Sequence, residues 1–314
     1  MSHIIAALNV VLPVFAVIGI GYFFRWRQLI DENFVNMAMK VIFNACLPSM
    51  LFLKVSHVDV NVLFNGDALA FVGFAAGITL VAFFLSRGLA KYLIKDEGSR
   101  GTFVHGAFRS NYIILGYAVL YNLFGDQIVA RMALLLIVII PLYNVLAIWV
   151  LSSKGTSSRR DNLMNILKKV VTNPLIISIL LGFIVSANNW DVPLIINSAM
   201  TMLGAVGTPL GLLGIGAYLN FKELNTMKDG FKAAMLKVVV IPTIAVSLAV
   251  ILGFSYVDAA IIFVLFGSPA AISSFIMSSA LGGNAKLAAN IVILSTGLSL
   301  VTFVIGLTIL SVVY

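Results

Sequence analysis

Ten apolar runs, each about as long as a bilayer is thick, leave this chain of 314 residues few ways to fold. They lie near 5–24, 37–54, 67–86, 103–124, 128–151, 172–188, 194–219, 231–253, 258–282 and 286–312. About 20 helical residues, rising 1.5 Å each, cross a hydrocarbon core of about 30 Å, and backbone in lipid must bond to itself. The expectation is an all-α polytopic membrane protein with ten transmembrane helices. Composition agrees, at 61% hydrophobic and 10% charged with a mean hydropathy of +1.08. One cysteine, Cys46, excludes an intrachain disulfide.

In this class a net charge of +8 says where the loops lie and does not point to nucleic acid. Of the 20 basic residues, 17 fall in or beside the loops that follow odd-numbered runs, from Arg25 and Arg27 through Arg87, Lys91, Arg159 and Arg160 to Lys237 and Lys286. The positive-inside rule then places these loops in the cytoplasm and both termini outside. No basic residue precedes the first apolar run, which therefore reads as a retained span and not a cleaved leader. The longest loop, 152–171, is polar and basic, and it divides the chain into 1–151 and 172–314.

The two parts repeat. A shift of 161 carries Pro13 to Pro174, Gly21 to Gly182, Asn36 to Asn197, Pro48 to Pro209 and Leu51 to Leu212. Two prolines 35 apart in both halves are hard to obtain by chance in a sequence with 8 prolines. Further on the shift becomes 158, pairing Ser110 with Ser268, Asn111 with Pro269, Leu123 with Leu281 and Gly125 with Gly283. Five spans per half is an odd number, so the second repeat enters the membrane inverted. Inverted repeats with interrupted helices at matching positions are the sequence pointer to a transporter with its site at the bilayer midplane.

Two places interrupt the apolar pattern. Phe108-Arg109-Ser110-Asn111-Tyr112 sets a charge, a hydroxyl and an amide deep in a span, where charge costs roughly 2.5–3.5 kcal/mol and so turns inward. Its mate, Ser268-Pro269, reads as an N-cap followed by a first helical proline, so a helix is expected to begin there in mid-membrane. Half-helix N-termini carry roughly +0.5 charge and free N–H groups, a setting for an anion, and Arg109 adds a fork suited to a carboxylate. The candidate substrate-binding residues are Asn111, Arg109, Ser110, Tyr112, Ser268, Pro269, Ser273 and, from span 2 beside Pro48, Asn44.

Plainer readings stand beside these. Pro48 and Pro209 can be simple kinks, Asn111 can be an interhelical hydrogen bond, and Arg109 can cap carbonyls at the break. His105 reads as a packed histidine. Gly207 and Gly211, like Gly73 and Gly77, have the spacing of close helix contacts, and Lys237 is near enough to a span end to snorkel.

Taken together, these residues resemble the auxin efflux carrier family of permeases, in its bacterial branch of malonate- and malate-type carriers. The likeness rests on Asn44 with Leu47-Pro48-Ser49-Met50-Leu51-Phe52, on Phe108 to Tyr112 followed by Leu115-Gly116, and on Asn173-Pro174 and Thr208-Pro209-Leu210. Above all it rests on Ser268-Pro269-Ala270-Ala271, Ser274-Phe275 and Leu294-Ser295-Thr296. The resemblance implies two inverted five-helix repeats, with scaffold spans 1, 2, 6 and 7, transport spans 3–5 and 8–10, and substrate held where broken helices 4 and 9 cross. It implies a carrier of a small organic anion in the bacterial inner membrane, with homodimerisation left open. The plant PIN-formed carriers carry proline-asparagine at the first crossing, where this chain has Ser110-Asn111.

Other classes fit less well. The histidines flank no G-x-S-x-G elbow, and Asp96-Glu97, the nearest paired carboxylates, lie in a loop, so neither an enzyme nor a metal or other cofactor is expected. The alternative is a cation-coupled carrier of the bile-acid-symporter-like architecture. Asp67 and Asp258 fall at outer span ends and Asp126 in an outer loop, so no buried carboxylate is expected and transport is expected not to depend on one. Hydroxyls and carbonyls near Ser268, Ser273 and Asn290 leave sodium open. For the orientation, single cysteines at Gly125 and Ser157 in a Cys46-free background should label from outside and inside respectively; the reverse pattern would overturn it.

Overall fold

A computed structural model describes residues 2–57, 66–112, 116–152, 168, 171–218 and 224–314. Most of the 152–171 linker, Leu115, and the side chains of Asp67 and Asp126 lie outside the described residues. What is described is helical, with no strand beyond one isolated backbone bridge.

In chain order the first half runs α1 (Ser2–Trp26), α2 (Glu32–Val41), α3 (Leu47–Ser56), α4 (Gly66–Leu93), α5 (Glu97–Phe108), α6 (Tyr117–Phe124) and α7 (Val129–Ser152). The second runs α8 (Pro174–Ala187), α9 (Leu194–Tyr218), α10 (Leu224–Met235), α11 (Ile241–Ile251), α12 (Tyr256–Gly267), α13 (Ile272–Ala280) and α14 (Ala285–Val313). Each of the ten apolar runs carries one helix or a pair. Among the described residues, five segments are long and apolar enough to cross a membrane, Glu32–Ser56 and Met227–Ile251 included, and shorter apolar helices accompany them. The chain is an integral membrane protein.

Local chemistry explains several of these boundaries. Asn173 caps α8 by accepting from Leu175 N at 2.9 Å, and Pro174 supplies the first helical residue, where its missing N–H costs nothing. A wide π-turn joins α2 to α3 at Ile42–Cys46 and another joins α10 to α11 at Leu236–Val240. Each stands immediately before a residue pair ending in proline, Leu47-Pro48 and Ile241-Pro242. A proline ring collides with the carbonyl four residues back, and the wider turn moves that carbonyl aside while keeping both segments one helix.

In lipid, helices gain little from hiding apolar surface, so close backbone approach through small residues decides how they pack. The tightest approaches of glycine to another helix's backbone, among the described residues, fall between α1 and α9 and between α3 and α8. A Cβ on Gly216 would lie 2.0 Å from Ile18 O, one on Gly21 would lie 2.2 Å from Leu213 O, and one on Gly182 would lie 2.7 Å from Phe52 O. Gly21 with Leu213 and Gly182 with Phe52 are the same contact displaced by 161 positions in each partner. Gly207 and Gly211 also meet neighbours, at Cys46 and at Ile272 and Ile276. Gly73 and Gly77 do not. Both are exposed with nothing within 4 Å, because their stripe on α4 faces outward, a direction that spacing alone does not reveal. Gly216→Leu should cost about 1–3 kcal/mol or more by overpacking, lowering Tm in detergent by several degrees, whereas Gly19→Ala, with open space around it, should leave Tm within about 1 °C.

Candidate functional site

α5 stops at Phe108 and α12 stops at Gly267, and the extended segments that follow them cross. Ser110 and Ala270 form an antiparallel bridge, with Asn111 N donating to Pro269 O at 2.8 Å. Pro269 has no N–H and forces its predecessor out of helical geometry, which is why Ser268 is extended, at φ −60° and ψ 146°. The break is where the sequence puts it, but its parts differ. Ser268 ends α12 and does not cap α13; its hydroxyl donates to Val264 O at 2.6 Å, and α13 starts four residues later, at Ile272 behind Ala271.

Beside the crossing lies a cavity with about 70 Å³ of space open to the centre of a water molecule. One wall comes from the crossing itself, through Arg109, Ser110, Asn111, Tyr112, Ala271 and Ser273. The facing wall comes from α3, α8 and α9, through Leu47, Met50, Lys54, Leu175 and Thr208, and Ile140 and Tyr143 of α7 complete the lining. Five predicted residues therefore meet here: Arg109, Ser110, Asn111, Tyr112 and Ser273. Ser268 and Pro269 hold the break together and do not line the cavity, Pro269 through the carbonyl that receives Asn111 N–H. Asn44 is also absent from the lining. It is exposed, and its amide donates to Lys40 O at 2.8 Å, one turn back on its own helix.

Arg109 is buried, and its guanidinium donates to Asn144 Oδ1 and touches Met277 Sδ, each at 3.1 Å. Among the described residues no carboxylate lies within ion-pair distance of it. The Ser110 and Tyr112 hydroxyls, also buried, have no hydrogen-bond partner there either. Asn144 is held in turn by donating to Ile140 O at 2.9 Å. The sequence reading missed Asn144, although a lone asparagine in an apolar span was signal enough. It also missed Lys54, a basic residue near a span end that the loop asymmetry does not use.

Two further expectations need correction. Lys237 does not snorkel: it is fully buried, and its ammonium donates to the Phe266 carbonyl just before the break in α12. It lies within the π-turn at Leu236–Val240, and a position count from the span end does not carry the direction in which a side chain points. An acidic residue is buried after all. Asp258, in the first turn of α12, is 9% exposed and pairs with Arg131 of α7 at 3.1 Å. His105 is packed as expected, buried one turn before Arg109.

The lining thus holds several donors and two cations, and among the described residues no carboxylate, imidazole or thiol belongs to it. An oxyanion of a small acid matches that set, and the start of α13 adds Ala271, Ile272 and Ser273 to the same lining.

A family described as membrane transport protein matches the chain over residues 6–306. The chain is 24% identical to the uncharacterized transporter MJ1031 of Methanocaldococcus jannaschii, over 93% of this chain and 95% of that protein. It is 22% identical to an uncharacterized transporter of Methanothermobacter thermautotrophicus, over 93% and 94%. It is 20% identical to the uncharacterized transporter YfdV of Escherichia coli, over 74% of each.

The seat of Arg109 gives a prediction free of any substrate. Asn144→Leu takes away the acceptor of a buried cation and should cost about 1–3 kcal/mol, read as a fall in Tm. Arg109→Leu combined with Asn144→Leu removes both partners and should recover most of that loss; a double variant as unstable as the sum of the two singles would show that the pair does not interact.

Proposed function

We propose that this chain, which belongs to the auxin efflux carrier family of membrane transport proteins, is a secondary carrier that moves a small organic anion, a mono- or dicarboxylate, by alternating access. The observation that carries this reading is Arg109, a buried cation with no acidic partner among the described residues, on the wall of a cavity beside two unpartnered hydroxyls. A buried charge left without an opposite charge is costly, and a bound carboxylate supplies one. The cavity is small, with about 70 Å³ open to the centre of a water molecule, which suits an acid of a few carbons better than an indole acid or a sterol.

The architecture we infer is two inverted five-helix repeats, 1–151 and 172–314, joined by a cytoplasmic linker at 152–171. The paired contacts of Gly21 with Leu213 and Gly182 with Phe52 support it, since a two-fold axis between repeats would generate one from the other. The site then lies where broken spans 4 and 9 cross, with spans 1, 2, 6 and 7 as frame and the rest as the moving part. Both termini would face outward from a bacterial inner membrane.

A thermal-shift panel of malonate, malate, oxalate, lactate and indole acids tests the reading, since a ligand at about 100 times its Kd adds about 2.7 kcal/mol of stability. At least one short-chain acid should raise the Tm of the wild type. Arg109→Gln and Asn111→Ala should lose that rise by tenfold or more in affinity, and Asn44→Ala should keep it. Equal stabilisation of all four proteins, or of none, would overturn the assignment.

A further inference from the structure

The other buried cation near the crossing is Lys237. Its ammonium reaches the Phe266 carbonyl, and among the described residues no carboxylate pairs with it. Nearby acids are committed elsewhere: Asp229 to Lys232 at 2.8 Å and Asp258 to Arg131 at 3.1 Å. A lysine buried in a membrane span with only a carbonyl for company is not an ordinary ion-pair residue.

What it does follows from the break. In an unbroken helix Phe266 O would receive the N–H of Ala270, four residues on. Here Ala270 N donates to Ser295 Oγ of α14 at 3.0 Å, so the carbonyl end of α12 is left without its helical donor. Leu265 O would need the N–H of residue 269, a proline that has none. This end carries roughly −0.5 charge and stands beside the place where an anion has to be received. Freed carbonyls of this kind, with hydroxyls nearby, are what carriers use to coordinate a sodium ion. One hydroxyl stands at the break, Ser295 Oγ of α14, which accepts Ala270 N at 3.0 Å and donates to Val292 O at 3.1 Å. The cation that meets the carbonyl is the protein's own.

We propose that Lys237 is a tethered replacement for a monovalent metal cation. It neutralises the carbonyl end of α12, so the crossing is ready for an anion without sodium. The inference uses the carrier reading only in taking the crossing as the site, and its test needs no substrate. The residue 158 positions earlier, at the matching place on α4, is Thr79, buried and bonded to Ala75 O at 2.8 Å. Lys237→Thr would therefore remove the ammonium, leave only a hydroxyl close to the backbone, and open room for an ion.

The experiment is thermal unfolding of the full chain in nanodiscs, with sodium chloride exchanged for choline chloride at constant ionic strength. The wild type and Lys237→Arg, which keeps the charge, should have the same Tm in both salts. Lys237→Thr should melt lower in choline and recover saturably with sodium, by about 2 °C or more at ten times the sodium Kd. Folding of Lys237→Thr only in sodium would support the proposal equally. Saturable stabilisation of the wild type by sodium would overturn it, as would a Lys237→Thr protein that is indifferent to sodium or unfolded in both salts. Failure of the carboxylate panel on the wild type would refute the anion reading and leave this result standing.

Discussion

The backbone pairing of Ser110 with Ala270 is the contact on which the rest of the site depends. Two helices interrupted inside a bilayer leave peptide groups that lipid cannot satisfy, each at a cost of several kcal/mol. The broken ends meet these demands for each other. Asn111 keeps the N–H that Pro269 lacks, and Pro269 offers the carbonyl that receives it at 2.8 Å. The segments are thus complementary and not identical: one supplies a donor, while the other brings the ring that enforces the break. Ser295 on α14 completes the arrangement by accepting Ala270 N. The extended geometry around Arg109, which no proline enforces, depends on this pairing, because that segment alone would re-form helix.

Once the crossing exists, its electrostatics follow. Broken helices turn carbonyl ends as well as N–H ends toward the interior, and the carbonyl ends would repel an anion. The buried cations offset that bias from two sides, Arg109 next to the end of α5 and Lys237 on the end of α12. Lys54 adds a third positive group on the facing wall of the cavity. The buried acid nearest in sequence to the crossing, Asp258, is neutralised by Arg131. The field that remains in the cavity is positive, and it arises from side chains whose seats are hydrogen-bonded or apolar, not from ion pairs that would cancel it.

Apolar length, proline and the 161 and 158 shifts are properties of the amino-acid order, so the helices and both breaks are legible in it. What it does not carry is direction. Lys237, the second residue of a π-turn, is fully buried although its distance from the span end suggests snorkelling. Asn44 sits inside the other π-turn and bonds to its own helix, which a polar residue near a proline can do as readily as face a cavity. Ser268-Pro269 has the composition of a helix start, yet the same proline also ends the helix before it, and the pairing with Ser110 favours the second role. Asn144 and Lys54 acquire meaning only from partners far away in the chain. Gly73 and Gly77 differ from Gly21 and Gly216 in nothing but what happens to stand opposite.

The kinds of contact the glycines make separate the molecule into two parts. Among the described residues, approaches of glycine to backbone fall within α1, α3, α8 and α9, at Gly21, Gly182, Gly204 and Gly216, or among the other helices, at Gly101 against Val150 O, Gly230 against Asn290 C and Gly283 against Ser278 O. Where the first group meets the second, glycine faces side chains: Gly211 meets Ile272 and Ile276, and Gly214 meets Phe275. Backbone seams of this sort lock two helices in register, since displacement by even one residue drives a side chain into a carbonyl. Contacts between aliphatic side chains and a smooth glycine face can be exchanged for similar ones at modest cost. The cavity lies on the exchangeable boundary, with Lys54 and Thr208 on one side and Arg109, Asn111 and Ser273 on the other. An anion held there would touch both parts at once. Movement of one part against the other would then have to break its contacts with Lys54 while keeping those with Arg109, which makes the balance between these two cations the quantity that sets how readily a loaded carrier moves.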